Sequence, residues 1–183
     1  MTQTSRHIGT LVHRELDRMT RSGATPISPQ TLDAARARML AELAELGVPP
    51  DRCEAAADRV TASIQQTLAD ERGRWILGID HRISEAESEL ALSGVIDGQV
   101  IERIIDRTFV DDHGIRWIVD FKTSTHEGGG LDEFLAEELQ RYRPQMLHYA
   151  RLMELFKPGE TIKAALYFPL LRQWREVGLE SRF

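Results

Sequence analysis

The pattern of hydrophobic and polar positions changes its period near residue 75. Before that residue, apolar side chains recur every three or four positions with charged residues between them, which is typical of helices with one buried face. The predicted helices span 5–21, 29–46 and 51–71. The first part of the chain is therefore predicted to be helical.

The middle predicted helix carries its own start and stop signals. Ser28 suits an N-cap, Pro29 suits the first helical position, and Gly47 suits the residue after the helix end. Its apolar residues lie at three- and four-residue spacing: Leu32, Ala35, Met39, Leu43 and Leu46. A stripe of this kind predicts core packing and not a binding surface.

After residue 85 the pattern becomes that of β-strands, in three consecutive runs. The runs are ESELALSGVIDG, QVIERIIDRTFV and IRWIVDFKTS. The residues DDHG between the last two predict a hairpin turn. The three runs together predict a meander of antiparallel strands.

The last part of the chain predicts one helical region and two more strands. Three glycines, 128–130, predict a flexible loop, and the segment 131–156 predicts a helix that is broken or kinked around Pro144. TIKAALYFPL and QWREVGL predict the final strands. We expect an α/β fold in one domain over 1–183, with a helical portion to residue 75 and an αβ core over 76–183.

Composition limits the chemistry that this chain can carry. Its 183 residues with 42% hydrophobic content suit one folded, soluble domain. The single cysteine, Cys53, excludes an internal disulfide, a four-cysteine zinc site and a four-cysteine iron–sulfur cluster. No segment has the apolar length of a membrane span or a signal peptide, so we expect the cytoplasm and no membrane partner.

Charge and motifs narrow the function further. The chain has 29 acidic and 23 basic residues and a formal charge of -6, which argues against a general polyanion-binding surface. Nucleic acid would need a local basic patch. Candidate arginines are Arg6, Arg14, Arg18, Arg21, Arg141, Arg143 and Arg151. No phosphate-binding loop of the G-x-x-x-x-G-K-[ST] type is present, so no ATPase function is expected.

The strand WIVDFKTS carries the candidate chemistry. Alternation places Ile118, Asp120 and Lys122 on one strand face. In the preceding strand, alternation predicts two faces, one with Ile104, Asp106 and Thr108 and one with Ile105, Arg107 and Phe109. Antiparallel pairing across DDHG would bring Asp106 and Asp120 to the same end of the sheet.

Two carboxylates beside one lysine suggest a metal site. Like charges this close repel, and a divalent cation with hard oxygen ligands, Mg²⁺ or Mn²⁺, would relieve the repulsion. Such a cation activates water, and Lys122 could stabilise the transition state of phosphodiester hydrolysis. The plain alternative is a solvated ion pair between Asp120 and Lys122, worth under about 1 kcal/mol.

The segment IIDRTFVDDHGIRWIVDFKTS resembles the PD-(D/E)XK nuclease superfamily, specifically the RecB-like nuclease domains of bacterial helicase-nucleases of the UvrD, RecB and AddA type. The interval from Asp106 to Asp120 is 14 residues, and Phe121 replaces the family's tyrosine. Two further motifs follow the family's order. GTLVH supplies His13, and QMLHY supplies Gln145 and Tyr149.

The resemblance implies a role for each matching residue. Its implied metal ligands are His13, Asp106, Asp120 and the backbone carbonyl of Phe121. It implies that Lys122 is the catalytic lysine, and that Gln145 and Tyr149 line the site and contact DNA. The implied cofactor is Mg²⁺ or Mn²⁺, and the other five histidines match no family position.

The first metal-binding aspartate has an alternative. SGVID also fits a Gly-x-Ile-Asp signature and would make Asp97 the ligand, although Asp97 precedes Asp120 by 23 residues. We therefore prefer Asp106 and keep Asp97 as the alternative. Glu102 is a further acidic candidate on the strand of Asp106.

The resemblance implies a restriction-endonuclease-like core, a mixed sheet flanked by helices, with residues 28–71 as a variable insertion. It implies a metal-dependent DNase of exonuclease type, acting on single-stranded ends in bacterial DNA repair and recombination at the nucleoid. A helicase would be present in cis or in trans. We expect DNA between the helical half and the sheet, with Tyr142 or Trp75 available for base stacking. The alternative function is a catalytically silent DNA-binding or scaffolding module of a helicase complex.

Overall fold

The computed structural model of the protein describes residues 3–21, 29–79 and 81–179, without the side chains of 29–33. The helices are α1 (Gln3–Arg21), α2 (Pro29–Glu45), α3 (Pro50–Ala69), α4 (Glu71–Leu77) and α5 (Leu131–Phe156). The strands are β1 (Ser84–Ile96), β2 (Gln99–Val110), β3 (Ile115–Phe121), β4 (Thr161–Phe168) and β5 (Gln173–Val177). A short 3₁₀ turn, Pro169–Leu171, joins the last two strands.

The five strands form one mixed sheet in the order β1-β2-β3-β4-β5. Neighbouring strands are antiparallel except β3 and β4, which are parallel. A parallel pair needs a long crossover, and α5 provides it. The predicted α/β fold with a mixed sheet, flanking helices and an N-terminal helical part is confirmed.

Each face of the sheet packs against its own helices. On one face Phe109, Trp117 and Val119 join a buried cluster with apolar residues of α1 to α4. On the other face Ile118 and Leu166 join a cluster with apolar residues of α5. Within the described ranges, no helix is long and apolar enough to span a membrane.

The helical predictions hold in outline. In α2 the side chains of Met39 and Leu43 are fully buried, which confirms a core-facing stripe, and Gly47 adopts a left-handed φ of 81° after the helix. The predicted cap Ser28 and the side chain of Leu32 lie outside the described residues.

The third predicted helix is two helices. It ends at Ala69, because Asp70 is extended (φ -92°, ψ 130°) and its carboxylate accepts a hydrogen bond from Gly73 N at 3.1 Å. Asp70 is thus the N-cap of α4. Tyr167 Oη also donates to Asp70 at 2.9 Å, which ties this break to β4.

The predicted meander of β1, β2 and β3 is present, and β2 has the predicted bounds. Asp97 and Gly98, at φ of 50° and 77°, form the two-residue turn between β1 and β2. Only the last part of β2, from Arg107 to Val110, pairs with β3. The earlier residues of β2 pair with β1 alone, so the two strands extend past β3 as an arm.

Strict alternation along β2 is wrong. Ile105 is buried with Ile118 on the α5 side, whereas Phe109 is buried with Trp117 on the other side. The change of face comes where the pairing with β3 ends. There the N–H of Phe121 donates to the carboxylate of Asp106 at 2.8 Å. The Asp106 side chain thus accepts the hydrogen bond of this backbone N–H.

Helix α5 continues through Pro144, so the predicted break at this residue is wrong, and the alternative of a kink stays a prediction. Proline removes one helical N–H donor. Residues on both sides of Pro144, such as Leu135 and Met146, are fully buried in the same cluster against the sheet. Tertiary packing of both halves therefore keeps the helix continuous.

Candidate functional site

The end of β3 carries a buried ion pair. Asp120 is 1% exposed, and Lys122 Nζ lies 2.6 Å from its Oδ2. Lys122 N donates to Tyr167 O at 2.8 Å, so the chain stays extended just past the strand. The lysine side chain is 14% exposed. A pair so shielded from water is unlike the solvated ion pair of the plain alternative.

Asp106 lies beside this pair on β2. The register pairs Arg107 with Val119, and Asp106 and Asp120 come next on their two strands. Burial, and then the charge of Asp120, raise the pKa of Asp106 to about 7. The imidazole of His13, the backbone N–H of Phe121 and Lys122 act in the opposite direction. The two carboxylates thus lie close enough at the end of the sheet for the charge of Asp120 to raise the pKa of Asp106.

Helix α1 brings His13 to the same place. One ring nitrogen, Nε2, lies 3.0 Å from the carbonyl oxygen of Phe121, and the other, Nδ1, lies 3.4 Å from Oδ1 of Asp106. The helix is held there by buried neighbours of His13, Leu11 and Val12, which pack under the sheet. The imidazole therefore lies between a carboxylate and a backbone carbonyl.

Glu89 on β1 is a site residue that the sequence reasoning missed. Ligand atoms of His13, Glu89 and Asp106 lie within 4.8 Å of one another. Ser88 and Leu90 pair with Arg107 and Ile105, so Glu89 faces Asp106 across the two strands. Glu89 has a left-handed φ of 51°, which is rare for a residue with a side chain and often found at functional positions.

Helix α5 contributes two polar side chains one helical turn apart. Gln145 Nε2 donates to Asp120 Oδ1 at 2.8 Å and lies 2.6 Å from the hydroxyl of Tyr149. Burial, and then the charge of Asp120, raise the pKa of Tyr149, so its hydroxyl stays protonated at neutral pH. Gln145 thus contacts the carboxylate that binds Lys122, and Tyr149 contacts Gln145.

A third residue of α5 faces the lysine. Lys122 Nζ lies 3.7 Å from the centroid of the Tyr142 ring. This distance is within the range of a cation–π contact. Lys122 therefore lies between a carboxylate and an aromatic ring.

Several sequence candidates lie elsewhere. Asp97 is exposed in the turn at the tip of the arm, seven residues of strand from the position of Asp106, or roughly 23 Å along β2. It cannot share a cation with His13 and Asp106. Glu102 is exposed on the arm opposite Ser93. His148 lies 3.4 Å from Arg103 and does not contact the carboxylates.

Trp75 is part of the aromatic core. Its ring meets Phe109, Trp117 and Trp174 edge-on, with centroids 4.8, 5.5 and 5.7 Å away. The helices and the sheet meet through this continuous apolar cluster. Trp75 is half-buried against this cluster. The expectations that DNA enters between the helical half and the sheet and that it stacks on Trp75 stay predictions.

The donors at the end of the sheet suit a divalent cation. They comprise the imidazole of His13, the carboxylates of Glu89 and Asp106, and the carbonyl of Phe121. Oxygen donors with one imidazole suit Mg²⁺ or Mn²⁺. A cation among them would also favour the ionised form of Asp106, which burial disfavours.

Comparison with known proteins assigns the chain to a family. The chain is similar to protein VC1899 from Vibrio cholerae, a solved structure, at 11% identity and a TM-score of 0.31. The match covers 92% of this chain and 48% of that one, and it supports no statement about function. No curated protein matches the chain. The family model of the PD-(D/E)XK nuclease superfamily matches residues 1–178. That match covers nearly the whole sequence, and the chain belongs to the PD-(D/E)XK nuclease superfamily.

Proposed function

We propose that this protein is a metal-dependent DNase that hydrolyses phosphodiester bonds at the end of β3. One observation carries the proposal: the ligand atoms of His13, Glu89 and Asp106 lie within 4.8 Å of one another, beside the buried pair of Asp120 and Lys122. A cation-binding pocket next to a shielded lysine is the arrangement that phosphoryl chemistry needs.

The proposed metal ligands are His13, Asp106, Asp120 and the carbonyl of Phe121, joined by Glu89. In the present arrangement His13 contacts both Asp106 and the Phe121 carbonyl through its ring nitrogens. A cation bound by these groups would replace those contacts. Bound Mg²⁺ or Mn²⁺ would lower the pKa of a coordinated water and neutralise charge on the phosphodiester.

Lys122 is the proposed catalytic lysine. Its ammonium group is paired with Asp120 and keeps a partly open path to solvent, with 14% of the side chain exposed. A lysine has three N–H donors, so its contact with Asp120 does not use all of them. The ammonium can therefore donate to a phosphate oxygen and stabilise the charge that develops there.

Gln145 binds the other oxygen of the Asp120 carboxylate, and Tyr149 accepts a hydrogen bond from the same amide. The amide of Gln145 binds Asp120, which fixes the carboxylate that Lys122 needs. We propose that these two residues also line the path of the DNA strand, because they lie on the same helix face one turn apart.

The proposed substrate is single-stranded DNA at ends, delivered by a helicase module in cis or in trans. The net charge of -6 supports a partner that brings the DNA, because this chain offers little long-range attraction for phosphates. Repair and recombination in the bacterial cytoplasm, at the nucleoid, follow as the proposed setting, with an exonuclease mode. We further propose one nuclease domain, with the helices before residue 75 completing the site through His13.

The experiment is cleavage of end-labelled single-stranded DNA in Mg²⁺, Mn²⁺ or EDTA. Wild-type protein is compared with Lys122→Ala and Asp120→Ala, and with two matched controls outside the site, Lys163→Ala and Asp112→Ala. Lys163 and Asp112 are exposed, at the start of β4 and in the hairpin turn. We expect cleavage that requires the metal, is lost in the two site variants and persists in the controls.

Three outcomes contradict the proposal. Cleavage that persists in EDTA would exclude the metal. Equal activity of Lys122→Ala and wild type would place the chemistry elsewhere. DNA binding without cleavage in either metal would favour the silent DNA-binding module, and thermal unfolding of each variant separates these results from misfolding.

A further inference from the structure

Helix α5 contacts the end of β3 through three successive pairs of side chains. Gln145 donates to Asp120 at 2.8 Å, Tyr142 places its ring 3.7 Å from Lys122 Nζ, and Ser124 Oγ donates to Glu138 at 2.8 Å. Every second residue of an extended segment points to one side, and helix residues three or four apart share a face. Three residues on one face of α5 therefore each contact one side chain of the extended segment 120–124.

The two outer pairs, Gln145 with Asp120 and Glu138 with Ser124, each contain a buried carboxylate. Asp120 is 1% exposed and Glu138 is 2% exposed, although both are carboxylates. Glu138 also receives a hydrogen bond from Arg141 at 2.6 Å. Two buried acids, each bonded across the interface, fix the helix against the chain on either side of Lys122.

In the middle pair, the Tyr142 ring attracts the positive charge of Lys122. Tyr142 offers Lys122 the face of an aromatic ring, which attracts a cation through its electron density. The ammonium group lies between that ring and Asp120 Oδ2, at 3.7 and 2.6 Å. A ring attracts the cation but accepts no proton and binds no metal, so it restricts the lysine without competing for the divalent cation.

We propose that Tyr142 is a positioning residue, whose ring face holds the ammonium group of Lys122 beside Asp120. The proposal rests on the proposed nuclease function, since it assigns Tyr142 the task of placing the catalytic lysine. It also replaces base stacking as the role of this residue, because the ring face near the site is taken by Lys122.

Single-turnover cleavage at saturating protein tests the effect on catalysis. Tyr142→Phe keeps the ring, and we expect its rate to remain within about twofold of wild type. Tyr142→Leu removes the ring, and we expect a rate about 2- to 30-fold lower with unchanged DNA affinity. The matched control is Phe156→Leu, which removes an exposed ring of the same helix whose centroid lies 5.5 Å from Lys157 Nζ.

Ring electronics separate a cation–π contact from simple packing. Phenylalanine with one, two or three fluorine atoms, incorporated at position 142, keeps the ring shape while withdrawing electron density from its face. We expect the rate to fall stepwise with the number of fluorine atoms. A flat series would overturn the proposal. Weaker DNA binding with an unchanged saturated rate would also overturn it, and would assign Tyr142 to base stacking.

A second readout needs no activity. In NMR spectra, the Lys122 side-chain protons next to Nζ should be shifted upfield by the ring in wild type and Tyr142→Phe, and not in Tyr142→Leu. Absence of this shift in folded wild-type protein would overturn the proposal whatever the cleavage result. Presence of the shift without any cleavage would uphold the contact and contradict the nuclease function instead.

Discussion

Gln145 links two site residues through one amide, with Nε2 placed 2.8 Å from Asp120 Oδ1 and 2.6 Å from Tyr149 Oη. The amide nitrogen carries two hydrogens and so can serve both oxygens. Asp120 is buried and already paired with Lys122 through its other oxygen. Helix α5 therefore positions the Asp120 carboxylate through Gln145. A substitution of Gln145 should also affect Lys122, because Lys122 is paired with Asp120.

Gln145→Glu should reduce cleavage more than Gln145→Ala. Alanine removes a hydrogen bond to a charged group, which corresponds to about a 10- to 100-fold loss of rate. Glutamate adds a like charge beside buried Asp120, so the loss should be larger. Single-turnover rates in Mn²⁺ measure both effects. Gln140→Ala, on an exposed position of the same helix, is the control. Equal rates for both Gln145 variants would contradict this electrostatic account.

Glu89→Gln should weaken Mn²⁺ binding by at least about tenfold, the lower limit of what loss of an outer-shell partner costs at metal sites. The substitution keeps the shape of the side chain and removes its charge. Isothermal calorimetry measures the affinity. Glu87→Gln is the matched control, because Glu87 is exposed on the same strand and lies opposite Thr108. If both variants bound Mn²⁺ as wild type does, Glu89 would not be a ligand.

The stability of the metal-free protein should fall as pH rises from about 4 to about 7. The pKa of folded Asp106 is raised to about 7, above the ordinary value of 3.8. The stabilising effect is fully present below the ordinary pKa and is lost as pH rises through about 7, because the folded site then has to hold a buried charge. Thermal unfolding in EDTA measures this trend.

Asp106→Asn cannot ionise, so its stability should change less over the same pH range. Asp97→Asn alters an exposed carboxylate in the turn of the arm and should keep the wild-type trend. Identical pH trends for Asp106→Asn and wild type would show that Asp106 has an ordinary pKa.

The sequence allowed most of the strands to be predicted because their signals are local. The segment 99–110 lies between two groups of turn residues, and β2 has those bounds. The helix break at Asp70 was not predictable from periodicity, since the apolar pattern continues through it. The break depends on a hydrogen bond from Gly73 and on the contact with Tyr167 from β4. A distant strand decides where this helix ends.

The site shows the same division between local and distant signals. Asp106, Asp120 and Lys122 could be named from strand patterns and the family motif, and their catalytic roles stay predictions. Glu89 left a usable signal: a two-residue turn at Asp97 and Gly98 sets a register in which residue 89 faces residue 106. The sequence carries no signal for the contact of Tyr142 with Lys122, because this contact depends on how α5 lies across the sheet.

The left-handed backbone of Glu89 has a consequence for engineering this protein. A glycine at that position would adopt the φ of 51° without strain and should gain about 1 kcal/mol of folding free energy. The same change would remove the carboxylate that faces Asp106. A search for heat-resistant variants should therefore select glycine at residue 89 and lose metal affinity in the process, so thermal tolerance and function compete at this one position.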